Sequence, residues 1–179
     1  MEEKIGIIYS TVDGQTKKIC GYIVDLLKQK QITAQLYAID EFNVNINDFS
    51  ILIIGASIRY GKHNEKITKF ILEHRESLDK IKTAFFSVNL VARKPDKNLP
   101  DTNPYLIKFI EQIKWKPYVL DVFAGKLDYK AYPFFDRIMI KLIMKMTKGP
   151  TKTDEPIEYT DWNRVAEFTS KVIKDSTSN

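Results

Sequence analysis

The segment Ser10-Thr11-Val12-Asp13-Gly14-Gln15-Thr16 separates an apolar run, Ile5-Gly6-Ile7-Ile8-Tyr9, from a helical pattern marked by Ile19, Ile23, Leu26 and Leu27. A hydroxyl-rich turn between a buried first strand and the start of a helix is suited to hold an anion. The first N–H groups of the helix lack intrahelical partners there, and the helix dipole adds partial positive charge. The turn has neither the Lys of a P-loop nor the three glycines of a dinucleotide fingerprint, which argues against ATP and NAD as guests. A single phosphate monoester suits it better, and FMN is the candidate cofactor.

Outward from that turn, five strand-like runs alternate with helical patterns. The strands are expected at Lys4–Tyr9, Thr33–Tyr37, Ser50–Ala56, Thr83–Val88 and Tyr118–Ala124. Helices are expected at Thr16–Lys30, Asn64–Leu78, Asn103–Ile113 and Asp161–Asp175, with Glu41–Asp48 as loop or a short turn. Four of the five strands are nearly continuous apolar runs, as parallel strands covered on both faces require. The pattern predicts an α/β fold: a doubly wound, five-stranded parallel sheet with helices on both faces, in one domain spanning residues 1–179. Ligands of such sheets sit at the carboxyl ends of the strands, at the point where strand order reverses. The segments leaving those ends, Ser10–Thr16, Ser57–Lys62 and Ser87–Arg93, are expected to wall one site.

The chain has 179 residues, 44% hydrophobic and 28% charged, an ordinary balance for a globular protein. Glu2, Glu3 and Lys4 lead straight into the first strand, so no secretory leader is expected. The lone Cys20 has no partner for an internal disulfide and reads as core packing in a reducing compartment. Two histidines and one cysteine without ligand spacing predict no metal site. The formal net charge of +5 is the unusual term, because flavin-binding electron carriers of this size are usually acidic. It points to an anionic membrane, an anionic substrate or nucleic acid.

A long connection, Lys126–Pro156, lies between the fifth strand and the last helix. Ordinary connections are far shorter, so this one is expected to carry function or structure of its own. Within it Ala131–Pro150 reads as a helix, with Pro133 in the first turn and Gly149-Pro150 as the stop. Phe134, Phe135, Ile138, Met139, Leu142, Ile143 and Met146 form an apolar half, edged by a stripe of Arg137, Lys141, Lys145 and Lys148. The helix is too short and too charged to span a bilayer. Two readings stand: an extra helix packed on the sheet, or a helix lying in a membrane interface, with Phe134, Phe135, Ile138, Met139, Leu142 and Met146 in the acyl boundary and Lys141 and Lys145 toward anionic head groups. The second accounts for more of the pattern, since the sheet already has enough helices to cover it. Nucleic acid fits less well, because the residues beside the cations are aliphatic rather than stacking aromatics.

In the second loop, Ser57-Ile58-Arg59-Tyr60-Gly61-Lys62-His63, Gly61 permits a sharp turn. Tyr60 offers a ring for stacking on a flat heterocycle or stands as a surface aromatic, and Arg59 adds charge. In the third, Ser87-Val88-Asn89-Leu90-Val91-Ala92-Arg93-Lys94, backbone N–H groups and Asn89 are candidates for the flavin edge, and Arg93-Lys94 for a cationic rim. His63 and His74 are not expected to do acid–base chemistry.

These three loops, with Tyr132 through Met146, resemble those of the flavodoxin-like, quinone-dependent protoporphyrinogen dehydrogenases of bacterial haem biosynthesis, and the resemblance extends to Tyr159-Thr160-Asp161-Trp162. It implies an FMN flavoprotein, an oxidoreductase that oxidises protoporphyrinogen IX to protoporphyrin IX and passes electrons to menaquinone or ubiquinone at the cytoplasmic face of the cell membrane. On this reading Ser10, Thr11, Val12, Asp13, Gly14, Gln15 and Thr16 hold the cofactor with Ser57, Ile58, Arg59, Tyr60, Gly61, Ser87, Val88, Asn89, Leu90 and Ala92. Arg59, Arg93, Lys94 and Arg137 are the candidates for the substrate's propionates. Flavodoxins usually carry Ser or Thr just before the glycine of the phosphate loop, where this chain has Asp13. A carboxylate repels a phosphate, so Asp13 is expected to point outward or cap backbone amides. The alternatives are a soluble flavodoxin-type carrier, against which the basic charge and the insert argue, and an NAD(P)H:quinone reductase, for which no dinucleotide fingerprint is present.

Overall fold

The computed structural model describes residues 4–174, so Glu2, Glu3 and Asp175 lie outside the described residues. In chain order the elements are β1 (Ile5–Ser10), α1 (Gln15–Gln29), β2 (Ala34–Ala38), a 3-10 turn (Ile46–Asp48), β3 (Ile51–Arg59) and β4 (Lys62–His63). There follow α2 (Glu65–Glu73), α3 (Arg75–Leu78), β5 (Lys82–Val88), 3-10 turns at Leu90–Arg93 and Pro95–Lys97, and α4 (Pro104–Ile113). The chain continues with β6 (Val119–Phe123), β7 (Lys126–Leu127), α5 (Phe134–Met146), β8 (Ile157–Glu158) and α6 (Trp162–Ile173).

Five strands run parallel in the order β2-β1-β3-β5-β6, so the order reverses between β1 and β3. The strand residues alternate between two cores. Ile8, Leu52, Ile54, Phe85 and Val122 pack with Ile67, Ile71, Leu106 and Phe109 of α2 and α4. Ile7, Ile53, Ala84, Phe86 and Phe123 pack with Ile19, Ile23 and Leu27 of α1 and with Val165 and Phe168 of α6. Cys20 is fully buried in this second core, where burial pushes its thiol up.

The sheet departs from the expected five strands in one place. β3 runs on past Ala56 to Arg59, and the chain folds back so that β4 pairs antiparallel with it, Ile58 opposite His63. The two-residue turn has φ of 51° at Tyr60 and 76° at Gly61, the double positive-φ turn that matches strand twist and gives Gly61 its role. The helix expected over Asn64–Leu78 is broken at His74 (φ −108°, ψ 19°). There the His74 ring leans on Phe70, and Arg75 turns to the carbonyls of Ile113 and Lys114 at 3.4 and 2.7 Å.

The insert is stapled at its base, because β7 pairs with β8 and brings its two ends together. It has a small core of its own, Leu127, Tyr129, Tyr132 and Met144, with Leu90, Ile140 and Tyr159 against it. Helix α5, Phe134–Met146, is shorter at both ends than the expected Ala131–Pro150. The Tyr132 side chain turns inward, accepting from the Asp128 N–H and donating to the Lys126 carbonyl, both at 3.1 Å.

Candidate functional site

The carboxyl ends of β1, β3 and β5 open on a cleft whose empty space, its open mouth included, is about 820 Å³. The turn after β1 supplies Thr11, Asp13, Gln15 and Thr16; the β3–β4 hairpin supplies Ser57 through Gly61; the loop after β5 supplies Val88 through Val91. The three walls read from the sequence therefore meet in one place.

The floor of the cleft has unmet hydrogen-bonding capacity. The hydroxyls of Ser10, Thr11 and Thr16 are buried and have no hydrogen-bond partner; Thr11 and Thr16 are on the lining, and Ser10 precedes them at the end of β1. Buried polar atoms are normally paired, and orphans at a site are a reason to look for a missing ligand. Gly14 caps α1 in a left-handed conformation (φ 81°), and no side chain takes the cap position. The first N–H groups of α1 are therefore left without a side-chain cap next to these hydroxyls. The amide of Gln15 donates to Thr160 Oγ1 at 3.0 Å, and that hydroxyl donates to the Ala124 carbonyl at 2.7 Å, so the turn is tied down from behind. This donor set fits the phosphate of FMN.

Asp13 does not cap α1, and although exposed it sits at the cleft mouth rather than turned away from the site. It lines the cleft 3.6 Å from the Arg59 guanidinium, which lies 3.1 Å from Asp136 of α5. The guanidinium offsets the repulsion that made Asp13 at the site implausible from sequence. Partial burial still raises the Asp13 carboxyl above the usual carboxylate range, opposed by Arg59 and reinforced by the charge of Asp136. The Tyr60 hydroxyl donates to Asp136, and that hydrogen bond, with some desolvation, pushes the phenol up. Tyr132, also on the lining, is pushed up to about 12 by burial.

The loop after β5 is built differently from its sequence reading. The Asn89 carbonyl oxygen accepts from the Ala92 N–H (3.0 Å) and from Asn103 (3.2 Å), while its amide faces Ser87 and Asn103 at 3.4 and 3.3 Å. Asn89 thus shapes the loop with its side chain and lines the cleft with what remains. Ser87 and Ala92 lie below the surface, Ser87 against His63 Nε2 at 2.9 Å. Burial lowers the His63 pKa to about 3. Val12 is exposed beside the cleft, off its wall.

Three of the four expected propionate partners lie off the cleft. Arg93 donates to the Leu90 carbonyl (2.9 Å) and to the carbonyl and hydroxyl of Thr147 (3.1 and 2.8 Å), so it ties the loop to the C-terminal end of α5. Its donors are drawn to a carbonyl-rich helix end. Lys94 follows it away from the lining, and Arg137 donates to the Tyr132 carbonyl at 3.1 Å on another side of α5. Arg59 alone of the four faces the cleft.

Helix α5 forms the remaining wall with Asp136, Met139, Ile140 and Ile143. The apolar residues expected at a membrane interface are exposed, and the alternative, that they pack on the sheet, is not what the helix does. Phe134, Phe135 and Met146 are 68%, 77% and 75% exposed, with Ile138, Met139 and Leu142 also exposed between them. Asp136, Ile140 and Met144, at i, i+4 and i+8, are the residues turned inward. Met139 belongs to both surfaces, so the exposed apolar face runs into the cleft mouth. The sequence reading missed Asp136, Tyr132, Tyr105, Gly125, Lys126, Ile140 and Ile143 as lining residues, and expected Met139 at the membrane alone. Asp136 alone had a signal: it is the single acid in an otherwise cationic and apolar helix. Among the described residues no group of three or more His, Cys, Asp or Glu is placed to hold a metal.

A sheet order reversing between β1 and β3, over a hydroxyl-lined turn that opens a helix, defines a flavodoxin-type mononucleotide-binding protein. A family model described as a flavodoxin domain matches residues 6–154. The chain is 42% identical over 167 residues, 93% of its length and 92% of the relative's, to protoporphyrinogen IX dehydrogenase (quinone) of Escherichia coli strain K12. It is also 42% identical, over 92% of its length and 72% of the relative's, to the protein of that name from Leishmania major. Among solved structures, the two-electron reduced flavodoxin of Megasphaera elsdenii superposes with a TM-score of 0.54 at 10% identity, covering 95% of this chain and 98% of that one. The chain belongs to the flavodoxin-domain family and, within it, to the family of the quinone-dependent protoporphyrinogen IX dehydrogenases.

Proposed function

We propose that the chain binds FMN in this cleft and oxidises protoporphyrinogen IX to protoporphyrin IX, delivering the electrons to a membrane quinone, menaquinone or ubiquinone. One observation carries the reading beyond family membership: α5 walls the cleft with one side and exposes an apolar face with the next. A soluble carrier has no use for such a face, whereas an enzyme whose electron acceptor is dissolved in lipid needs one.

FMN, when bound, supplies a two-electron acceptor. The residues of the chain supply the rest. Ser10, Thr11 and Thr16 hydroxyls and the N–H groups at the start of α1 hold the phosphate, and the Gln15–Thr160 link keeps the turn in register. Arg59 and Lys126 are the cations on the cleft lining for a propionate. Asp13 and Asp136 beside the first, and Asp128 beside the second, set how much of each charge is free. Ile58, Leu90, Ile140 and Ile143 give the cleft apolar walls that exclude water and suit a tetrapyrrole's rings.

The same reading makes the chain a peripheral membrane protein. No helix of the described residues is long and apolar enough to cross a membrane. Helix α5 instead lies flat, with Phe134, Phe135, Ile138, Leu142 and Met146 in the acyl boundary and Lys141 and Lys145 toward head groups. The direct test is anaerobic mixing of the yellow protein with protoporphyrinogen IX, followed by quinone. Flavin absorbance is expected to fall on the first addition and recover on the second. Bleaching by NADH with no response to the porphyrinogen would replace this reading with the nicotinamide-dependent one.

A further inference from the structure

A second groove lies on α5, apart from the cleft. Tyr129, Lys130, Arg137, Lys141, Lys152 and Asp154 line it, four cations against one carboxylate. Some cations elsewhere are matched, Lys18 with Glu158, Arg59 with Asp136, Lys66 with Asp40 and Arg164 with Asp121, and many surface lysines are not. What sets the groove apart is that four cations share one concavity. Among the described residues none of the four groove cations forms an ion pair. Four like charges left together with one acid raise the local potential and cost folding energy, a cost offset when an anion binds.

The groove is also partly built. Arg137 is held by a hydrogen bond from Nη2 to the Tyr132 carbonyl at 3.1 Å, while its Nε is buried without a partner. The guanidinium is thus oriented by a carbonyl without being neutralised, an arrangement suited to the paired oxygens of a phosphate. The Lys141 ammonium sits over the Tyr129 ring, 5.7 Å from its centroid, which fixes a second charge beside it. The residues following these two cations, Ile138 and Leu142, belong to the exposed apolar face. A ligand that satisfies both neighbours has an anionic head joined to an apolar tail.

We propose that this groove is a binding site for the phosphate of an anionic phospholipid, whose acyl chains continue over Ile138 and Leu142. The inference rests on the membrane-docking reading of α5 and adds to it a defined headgroup site. It also fixes the sense in which the helix lies, with the Arg137–Lys141 edge toward the head groups and the Met139 edge leading to the cleft.

The test uses the FMN-loaded protein and two kinds of vesicle, phosphatidylcholine alone and phosphatidylcholine mixed equally with phosphatidylglycerol. The double variant Arg137→Gln/Lys152→Gln is compared with Lys17→Gln/Lys28→Gln, which removes the same charge from exposed positions on α1. Removing two cations at the lipid surface should weaken binding to the mixed vesicles about 30-fold. The α1 variant, whose lysines lie outside the groove lining, should weaken it about twofold at most. Binding to phosphatidylcholine alone should be the same for all three proteins. If the unmodified protein binds neither vesicle, the docking reading itself fails. If it binds but the two double variants lose affinity equally, docking stands and the groove is refuted. Inorganic phosphate and monomeric short-chain phosphatidylglycerol, titrated separately against the Arg137 side-chain NMR signal, separate the two sources of phosphate. Equal affinity for both would make this a free-phosphate site and overturn the lipid assignment.

Discussion

Arg59, the last residue of β3, lies 3.1 Å from one carboxylate oxygen of Asp136 on α5, while the Tyr60 hydroxyl donates to the other. One hairpin of the sheet therefore holds the insert helix through a single acid. That contact decides whether the cleft has its fourth wall. It also explains the backbone of Tyr60, a non-glycine residue in the left-handed region, because the tight turn aims the phenol at α5.

The variant Asp136→Asn keeps an oxygen for Tyr60 and removes the charge that Arg59 pairs with. The pair is partly exposed, so its loss should cost about 1–2 kcal/mol, less than a fully buried pair. Because α5 packs on the insert's small core rather than on the main sheet, the cost should fall on the helix alone. Amide exchange in residues 134–146 should quicken about tenfold, with the strands β1, β3 and β5 unchanged. Uniform acceleration across the sheet, or none in α5, would deny the carboxylate this role.

The orphaned hydroxyls make a sharper prediction, since they separate affinity from stability. Thr16→Val and Thr11→Val replace a buried, unpartnered hydroxyl with a methyl of similar shape. Each should lose a hydrogen bond to a charged phosphate, about 1.5–3 kcal/mol, and so raise the Kd for FMN by about 10–100-fold. Without FMN the same variants should melt at the same temperature as the parent or higher, because no protein partner is lost. A fall in apoprotein melting with unchanged FMN affinity would mean that these hydroxyls serve the fold.

Much of this site was legible in the sequence, and the limits have physical causes. The β1 turn could be read because several hydroxyls, more than one cap needs, lie between a buried strand and a helical pattern. Strand order could be read because buried parallel strands are continuous apolar runs. The side of α5 that packs could not be. Its apolar residues cover more than half the circumference, and periodicity identifies an apolar arc without saying whether protein or something else covers it. The inward side proved to be the one with fewer large side chains, Asp136, Ile140 and Met144. Arg93 was misread for a related reason: sequence shows a cation near a site but not the free carbonyls of Thr147 and Leu90 that capture it. Asp13 was misread because its partner Arg59 is far along the chain.

His63 carries a stability signature in acid. Buried against Phe85 and Phe109 and hydrogen-bonded to Ser87, it is held neutral, with its pKa lowered from 6.5 to about 3 by desolvation. The unfolded chain binds a proton below about pH 6.5 that the folded chain refuses. The stability tied to this group is therefore complete above that pH and declines as pH falls toward 3, by up to about 1.4 kcal/mol per unit. His63→Gln keeps an amide near Ser87 and removes the titration. Urea midpoints measured between pH 7 and 4 should fall less steeply for the variant; parallel curves would show that other groups govern the acid side.

The exposed face of α5 makes the functional prediction. Leu142 and Met146 lie on the outer side of the helix, clear of the residues that line the cleft, so a change there leaves the cofactor site alone. Leu142→Glu/Met146→Glu removes about 1.5–3 kcal/mol of apolar transfer energy per side chain and sets two anions against an anionic surface. Vesicle binding should fall by more than 100-fold, and turnover with a lipid-embedded quinone should fall with it. A short-chain, water-soluble quinone reaches the cleft without the bilayer, so turnover with that acceptor should stay close to the parent's. FMN should remain bound, which the flavin absorbance reports. If lipid-embedded and water-soluble quinones decline together, α5 is part of the chemistry's scaffold rather than its dock. If neither declines, the outer face serves a different partner.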